Sequence, residues 1–356
     1  MASVGRPVGG VNILLWLVER LNEAGYRVAV LHGSQSYSYE FRNFIGERLY
    51  SSELDKLLRK GFFRRGLFDR VRQALKGVSL MGWRRWFQSP PLLPVWQPES
   101  QDLFVVPEFM YPEAVAAFGA NRCILAVQGF SVLLVANLRS QHGRGLQPEQ
   151  FNAIFSTSKA CAGAVQAVFN VEGGVFRLPV CHAGLTYNPD KKLQIALMPR
   201  KRREEARILV ALIARHPDLV GVPLVVIDQL PDEVAHRFIR ESLIFLSLSE
   251  REGFGLPPAE AMATGSLVIG YTGVGGEEFF TEETGFPIPD GDIVAFVDQI
   301  AYVVTAWRQV PEALERKRRH ASDFIWSRYN EAEAQQSLLN LWACIDAHQR
   351  VKDQSR

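Results

Sequence analysis

Glu252 and Glu260 stand eight positions apart around the run Gly253-Phe254-Gly255-Leu256-Pro257-Pro258. Two carboxylates at such spacing can divide proton transfers between them, or they can grip hydroxyl groups. A carboxylate suits a vicinal diol because its two oxygens accept parallel hydrogen bonds, each worth about 1.5–3 kcal/mol when the acceptor is charged. The loop between them has its own chemistry. Glycines at 253 and 255 let backbone approach a ligand closely, and the unpaired N–H groups of a helix opening near Leu256 form a place where a phosphate or an anionic leaving group can settle.

The elements that must position this pair are legible nearby. Leu243 to Ser249 is apolar and strand-length, while Pro257, Pro258 and the Ala-rich stretch to Thr264 read as a helix with proline in its opening turn. Glu252 therefore falls on a loop and Glu260 about one turn into a helix. Further strands are expected at Arg27–Leu31, Leu103–Val106, Cys123–Val127, Ala153–Phe155 and Val175–Val180, then at Leu193–Leu197, Val222–Ile227 and Leu267–Ile269. Helices are expected on the face Val11, Leu14, Leu15, Val18 and Leu21, over Glu204–Arg215, from Asp292, from Glu312, and over Glu331–His348. Alternation of this kind implies parallel sheets covered on both sides. With 356 residues, two cores are expected, joined by a linker at Cys181–Lys192 where Gly184, Asn188 and Pro189 interrupt regular structure.

The string SEREGFGLPPAEAMATGSLVIGYTGVGGEEFF from Ser249 to Phe280 resembles the Glu-x7-Glu signature of retaining glycosyltransferases of the family 4 type. Gly265, Leu267–Ile269, the Gly275-Gly276 turn with Glu278, and TGFPIPDGD from Thr284 extend the likeness. The resemblance implies an α/β fold of two Rossmann-like domains facing a cleft, the GT-B architecture. It places an N-terminal acceptor domain at 1–185 with a basic insertion at about 50–90, a donor domain at 186–328, and a C-terminal helix at 329–356 packing back on the first domain. It also implies that Glu260 grips the donor ribose and that Glu252 lies by the hydroxyls of the transferred sugar. Gly253, Phe254, Gly255, Leu256, Gly275 and Gly276 would line the donor site. Met198-Pro199-Arg200-Lys201 resembles a subgroup acting on bacterial polysaccharides, and implies that Arg200 faces the diphosphate while Lys201 or Arg202 supplies a second charge. Cations are needed there to stabilise a departing nucleoside diphosphate.

The chain departs from the family in three places. Its opening, MASVGRP, is too short and too rich in Gly and Pro for a core strand, so the usual first strand is missing or the start is trimmed. Gly9 and Gly10 would bring helix-start N–H groups toward donor phosphates or acceptor, or simply form a turn. Glu205 stands where relatives commonly carry a lysine, and Gln128 where many carry a histidine close to the sugar. Glutamine can bond a hydroxyl but cannot act as a base. Glu108 is a further acceptor-side acid, or a solvated loop acid.

Composition bounds the remaining readings. Cys123, Cys161, Cys181 and Cys344 form no C-x-x-C pair, which indicates a reducing, cytoplasmic setting. The N-terminus carries no secretory signal pattern. Net charge is +2, yet Lys56–Phe87 holds ten cations against Asp69 alone, net +9, which leaves −7 elsewhere. Phe68, Val71, Leu75 and Val78 recur there at helical spacing, followed by Trp83, Trp86 and Phe87. Such a stretch suits an anionic membrane surface, and hence peripheral contact at the inner membrane face; the alternative is a solvated insertion packing its stripe on its own domain. No recognition motif for nucleic acid accompanies it. Asp290-Gly291-Asp292 looks like a metal motif but precedes a helical pattern, where Asp292 is a natural N-cap. The seven histidines show no ligand spacing, so neither metal nor cofactor is called for. The implied function is transfer of a sugar from a nucleoside diphosphate donor to a glycan, lipid-linked or small-molecule acceptor. The alternatives are a lapsed transferase serving as a binding subunit, and a nucleotide-sugar epimerase of the same architecture.

Overall fold

The apolar positions from Val11 to Leu21 fold as α1 (Gly9–Glu23), which buries Ile13, Leu15, Trp16, Leu17, Val18 and Leu21. The computed structural model describes residues 9–33, 44–56, 92–97, 99–119, 122–140, 148, 151–181 and 183–354. Of the basic stretch 56–87 only Lys56 is among them, so its amphipathic face lies outside the described residues. Two compact units divide the chain: Met1–Leu125 with Glu149–Ala153, and Ala126–Pro148 with Ile154–Arg356.

In the first unit β1 (Ala29–His32) pairs in parallel with β2 (Glu47–Tyr50), Val30 opposite Arg48. Leu15, Val18 and Val30 form a small core with Val11, Val28, Phe44 and Leu93 packed against it. β3 (Phe104–Pro107) leads to α2 (Tyr111–Phe118), and Phe104 stacks on Phe118 with centroids 4.0 Å apart. Glu108, just past β3, is only 4% exposed, which rules out a solvated loop acid. The chain divides within β4 (Cys123–Val127), every residue of which is buried.

The second unit continues with α3 (Phe130–Ser140), β5 (Ala153–Ser156), α4 (Lys159–Phe169) and β6 (Gly174–Val175). β5 and β6 are parallel, Phe155 opposite Gly174. β6 is much shorter than the strand expected over Val175–Val180. Arg177 N–H is taken by Ser337 Oγ, and Pro179 has no N–H to give, so the ladder stops.

A five-stranded parallel sheet follows, ordered β11-β10-β9-β7-β8. It comprises β7 (Lys192–Leu197), β8 (Leu224–Val226), β9 (Ser242–Leu248), β10 (Leu267–Tyr271) and β11 (Phe286–Pro287). The connecting helices are α5 (Arg203–Ile213), α6 (Asp232–Glu241), α7 (Leu256–Ala263) and α8 (Ile293–Gln309), with α9 (Glu312–Arg328) and α10 (Glu331–Gln354) last. The central β9 is buried along its whole length. Its core is shared with Leu209 and Ile213 of α5 and with Phe296 and Ile300 of α8. Asp292 caps α8 as its position in the sequence suggested, its Oδ1 accepting from Ala295 N–H at 3.0 Å. No helix among the described residues is long and apolar enough to cross a membrane.

Candidate active site

In the five-stranded sheet β7 runs on to β8 on one side, and β9 runs on to β10 on the other. The loops leaving β7 and β9 at their carboxyl ends therefore part company, and such a switch point opens a crevice where ligands bind in α/β sheets. Arg200 and Lys201 leave β7 there, and Glu252 leaves β9 there. A small pocket at this edge is lined by Met198, Arg200, Ser247, Ser249, Glu252 and Pro258.

Lys201 Nζ lies 3.3 Å from Glu252 Oε1 and donates to the Glu250 carbonyl at 2.8 Å. The structure thus joins two residues that are 51 positions apart. Arg200 is exposed and enters no hydrogen bond or ion pair among the described residues. Arg202 is engaged elsewhere through both terminal nitrogens of its guanidinium. Its guanidinium bonds Glu205 at 2.9 Å, pairs with Asp290, and lies 4.7 Å over the Tyr271 ring. Tyr271 in turn donates its hydroxyl to Glu205. Burial, reinforced by Glu205, pushes the Tyr271 hydroxyl above its usual range, so it remains a donor.

Gly255 turns the chain into α7 with φ of 100°, a left-handed value that favours glycine. Proline in the first turn fixes the helix start without losing a backbone bond. Phe254 points into an aromatic cluster, with ring centroids 4.8 Å from Phe279 and 5.0 Å from Tyr329. Leu256 opens α7 and is half-buried. Glu260 sits one turn further on, its Oε2 3.8 Å from His236 Nε2. Burial holds the His236 pKa below 6.5, so the imidazole is neutral at pH 7.

The Glu252 loop is pinned from several directions. Glu252 N–H donates to Gly273 O at 2.9 Å, and Gly275 N–H donates to Glu252 O at 3.2 Å. A side-chain carbon on Gly275 would fall 2.3 Å from Gly253 O, so the site requires glycine there. Gly276 opens out more, its nearest such contact being 3.7 Å to Phe254 O. A carbon on Gly253 would lie 1.8 Å from the Gln128 carbonyl oxygen, which sets these two backbones in direct contact. Ser131 Oγ donates to Arg251 O at 3.4 Å.

Ser158 is a partner that the sequence did not reveal. It N-caps α4 by accepting from Cys161 N–H at 3.1 Å and donates its own proton to Gly253 O. One residue on, Lys159 N–H donates to Glu278 Oε2 at 3.0 Å, and Tyr329 donates to Glu278 Oε1 at 3.1 Å. Burial and Glu278 together raise the Tyr329 pKa, which keeps it protonated. Ser158 and Gly253 are 95 positions apart, so only the fold links them. Behind the site, Cys181 is a buried thiol pushed up to about 12 by burial and by Glu260, which keeps it from acting as a nucleophile. Gly9 and Gly10, half-buried, are the first residues of α1 in the other unit.

Five non-glycine residues among those described have positive φ, and three of them border this site: Arg200 at 35°, Arg251 at 48° and Val274 at 71°. Strained backbone of this kind costs of order 1–3 kcal/mol per residue and gathers at functional sites.

Comparison with known proteins bears on the same region. Residues 221–321 match the family model described as Glycosyl transferases group 1, a span that takes in Glu252, Glu260, Gly275 and Gly276. Over 218 residues the chain is 28% identical to an alpha-1,6-glucosyltransferase of Actinobacillus pleuropneumoniae serotype 7 (strain AP76), a match covering 58% of this chain. It spans 64% of that relative, under two thirds of its length. The crystal structure of HepE from Anabaena in complex with UDP and glucose is similar with a TM-score of 0.61 at 12% identity, over 96% of this chain and 98% of that one. Sucrose-phosphate synthase from Thermosynechococcus elongatus is similar with a TM-score of 0.56 at 14% identity, over 96% and 95%. These likenesses show the fold, an α/β architecture of the GT-B kind with parallel sheets.

Proposed function

We propose that the chain is a retaining glycosyltransferase that moves a sugar from a nucleoside diphosphate donor to a glycan, lipid-linked or small-molecule acceptor. The observation that carries the proposal is the meeting of Lys201 with Glu252 at the switch point of the donor-side sheet, just before the helix whose second turn carries Glu260. The match of residues 221–321 to group 1 glycosyl transferases supports it. The relatives point the same way: one is a glucosyltransferase, and HepE was crystallised with UDP and glucose.

In this reading Glu260 accepts two hydrogen bonds from the ribose diol and Glu252 orients the hydroxyls of the transferred sugar. Gly253, Phe254, Gly255 and Leu256 offer backbone at the start of α7, with Gly275 and Gly276 beside them, and Arg200 and Lys201 face the diphosphate. Gly9, Gly10 and Gln128 serve the acceptor and phosphate side. The acceptor hydroxyl forms its bond to the anomeric carbon on the face from which the diphosphate leaves. As the carbon–oxygen bond to phosphate breaks, a departing phosphate oxygen takes the acceptor proton, so no separate base is needed. Two fixed cations stabilise the charge that develops there, and the donor chemistry calls for no metal.

The test is incubation with UDP-, GDP- and dTDP-sugars and candidate acceptors, read as released nucleoside diphosphate, with product stereochemistry by NMR. Glu260→Ala is expected to lose on the order of tenfold to a thousandfold in donor affinity or turnover, the equivalent of its two charge-assisted bonds. Wild-type turnover in that variant would sink the donor assignment. Tight nucleotide binding without turnover would favour the lapsed subunit, and a donor inverted with no glycoside formed would favour the epimerase. The basic stretch 56–87 is proposed to touch an anionic membrane surface. Cosedimentation with anionic but not zwitterionic vesicles, weakened by added salt, is the expected result.

A further inference from the structure

Three backbone N–H groups at the start of α7, those of Phe254, Gly255 and Leu256, donate to nothing among the described residues. Pro257 and Pro258, next in line, have no N–H to offer, and Ala259 N–H is spent on Gly255 O at 3.4 Å. At this helix start a diphosphate has those three amides to meet it. The direction of the first is set by the peptide that carries it. In a trans peptide the oxygen and the N–H point opposite ways, so the Phe254 N–H faces away from whatever binds Gly253 O. That oxygen accepts the hydroxyl proton of Ser158, and Cys161 Sγ stands 3.8 Å from it. Glycine at 253 makes the bond matter. A side-chain carbon there would fall 1.8 Å from the Gln128 carbonyl oxygen, so only glycine fits, yet glycine leaves the peptide that follows it free to rotate. Gly255, with φ of 100°, is a second permissive residue just beyond. Ser158 is itself held in place. It is 1% exposed, and its Oγ accepts from Cys161 N–H at 3.1 Å as the N-cap of α4.

We propose that Ser158 is a positioning residue for the transfer reaction: by donating to Gly253 O it holds the Gly253–Phe254 peptide in one orientation and keeps the Phe254 N–H available to the donor diphosphate. A flipped peptide would present its oxygen, a partial negative charge, to the phosphates in place of a donor. The hydroxyl thus serves two ends at once, accepting from α4 and donating to the loop before α7. Its effect belongs to the phosphates, because the amide it orients is a donor to anions and offers nothing particular to a nucleobase. This inference rests on the donor reading given above.

The experiment compares Ser158→Gly with Ser158→Thr. Glycine is nearly as good an N-cap as serine, so α4 keeps its start while the donated bond is lost; threonine keeps both the cap and the donor. Each variant is titrated with UDP, GDP and dTDP, and with uridine, guanosine and thymidine, which lack the phosphates. Ser158→Gly is expected to bind the nucleoside diphosphate about tenfold more weakly than wild type, the equivalent of one hydrogen bond to a charged group, with nucleoside affinity within about twofold. Its kcat should fall by at least as much, since charge grows on the departing phosphate, and Ser158→Thr should restore both. Selective carbon-13 labelling should show the Gly253 carbonyl resonance moving upfield in Ser158→Gly and returning in Ser158→Thr. Unchanged diphosphate affinity in Ser158→Gly, or an equal loss for nucleoside and nucleoside diphosphate, overturns the positioning role, and an unmoved Gly253 resonance overturns the bond. If wild type binds none of these nucleotides, the donor reading fails instead, and the Gly253 resonance still decides whether Ser158 holds the peptide.

Discussion

Arg200, Lys201 and Arg202 are consecutive cations with three different employments, and the differences are measurable. Arg200 is exposed with φ of 35° and has no partner among the described residues, which leaves its guanidinium available to a diphosphate. Lys201 is tethered to Glu250 O and Glu252, close enough to share a ligand with the latter. Arg202 is a structural cation, enclosed by Glu205, Asp290 and the Tyr271 ring. Lys201→Ala removes a half-exposed ion pair, a type worth about 0–1 kcal/mol, so its melting temperature should barely move while nucleoside diphosphate release drops by tenfold or more. Arg202→Ala should do the reverse in emphasis. It leaves the largely buried Glu205 carboxylate with only the Tyr271 hydroxyl, at a cost of about 1–3 kcal/mol. Unfolding in urea beside a turnover assay separates the two, and equal loss of stability in both variants would contradict this division of roles.

At the scale of elements, Asp292 decides between a cap and a metal ligand. As the N-cap of α8 it accepts from Ala295 N–H, so Asp292→Ala should cost about 1 kcal/mol of stability. Nucleoside diphosphate release should be unchanged in this variant, and insensitive to EDTA in wild type; an EDTA-sensitive activity would call the cap-only reading into question. That cap was legible because a short acidic residue stood just before a long apolar periodicity. β9 and α7 were legible for comparable reasons, an unbroken apolar run followed by glycine and proline. β2 escaped notice because Glu47–Tyr50 reads ERLY and buries none of its residues fully. α6 was missed although Val234, Ala235, Phe238 and Ile239 recur at helical spacing, with Ala235 and Ile239 buried. The strand expected over Val175–Val180 was over-long for the opposite reason. Phe176, Leu178 and Val180 alternate and are buried, but after Phe176 N–H bonds Ser156 O, the N–H groups of Arg177 and Val180 turn to Ser337 and Tyr329 instead of continuing the ladder. Within the site, Glu252 and Glu260 could be read from their spacing. Ser158 could not, because its N-cap role is local while its bond to Gly253 exists only once β5–α4 and the β9–α7 loop are brought together.

At the scale of the whole molecule, the two units should respond differently to acid, and His32 is the reason. It lies on β1 in the first unit with 0% exposure, and burial, with Arg48 adding to it, lowers its pKa from 6.5 to about 3. Between these two values the unfolded chain binds a proton that the folded chain does not, so stability rises with pH across that window and is lost as pH falls below 6.5. The loss amounts to about 1.4 kcal/mol per pH unit, or about 2 kcal/mol by pH 5. Such a term is large beside the few kcal/mol that hold a small unit folded. Hydrogen exchange at pH 7 and pH 5, corrected for intrinsic rates, should therefore show peptides from α1 and β1 losing protection before those of β9 and α7. His32→Gln removes the titrating group and should flatten the acid slope of the first unit, whatever its own stability at pH 7. If both units lose protection together in wild type and the slope survives in His32→Gln, the acid response belongs to groups elsewhere in the chain. If the first unit alone yields, acid exposure becomes a way to loosen Gly9 and Gly10 while the Glu252 and Glu260 loops stay folded, and nucleotide binding under those conditions would measure how much of donor affinity the second unit supplies by itself.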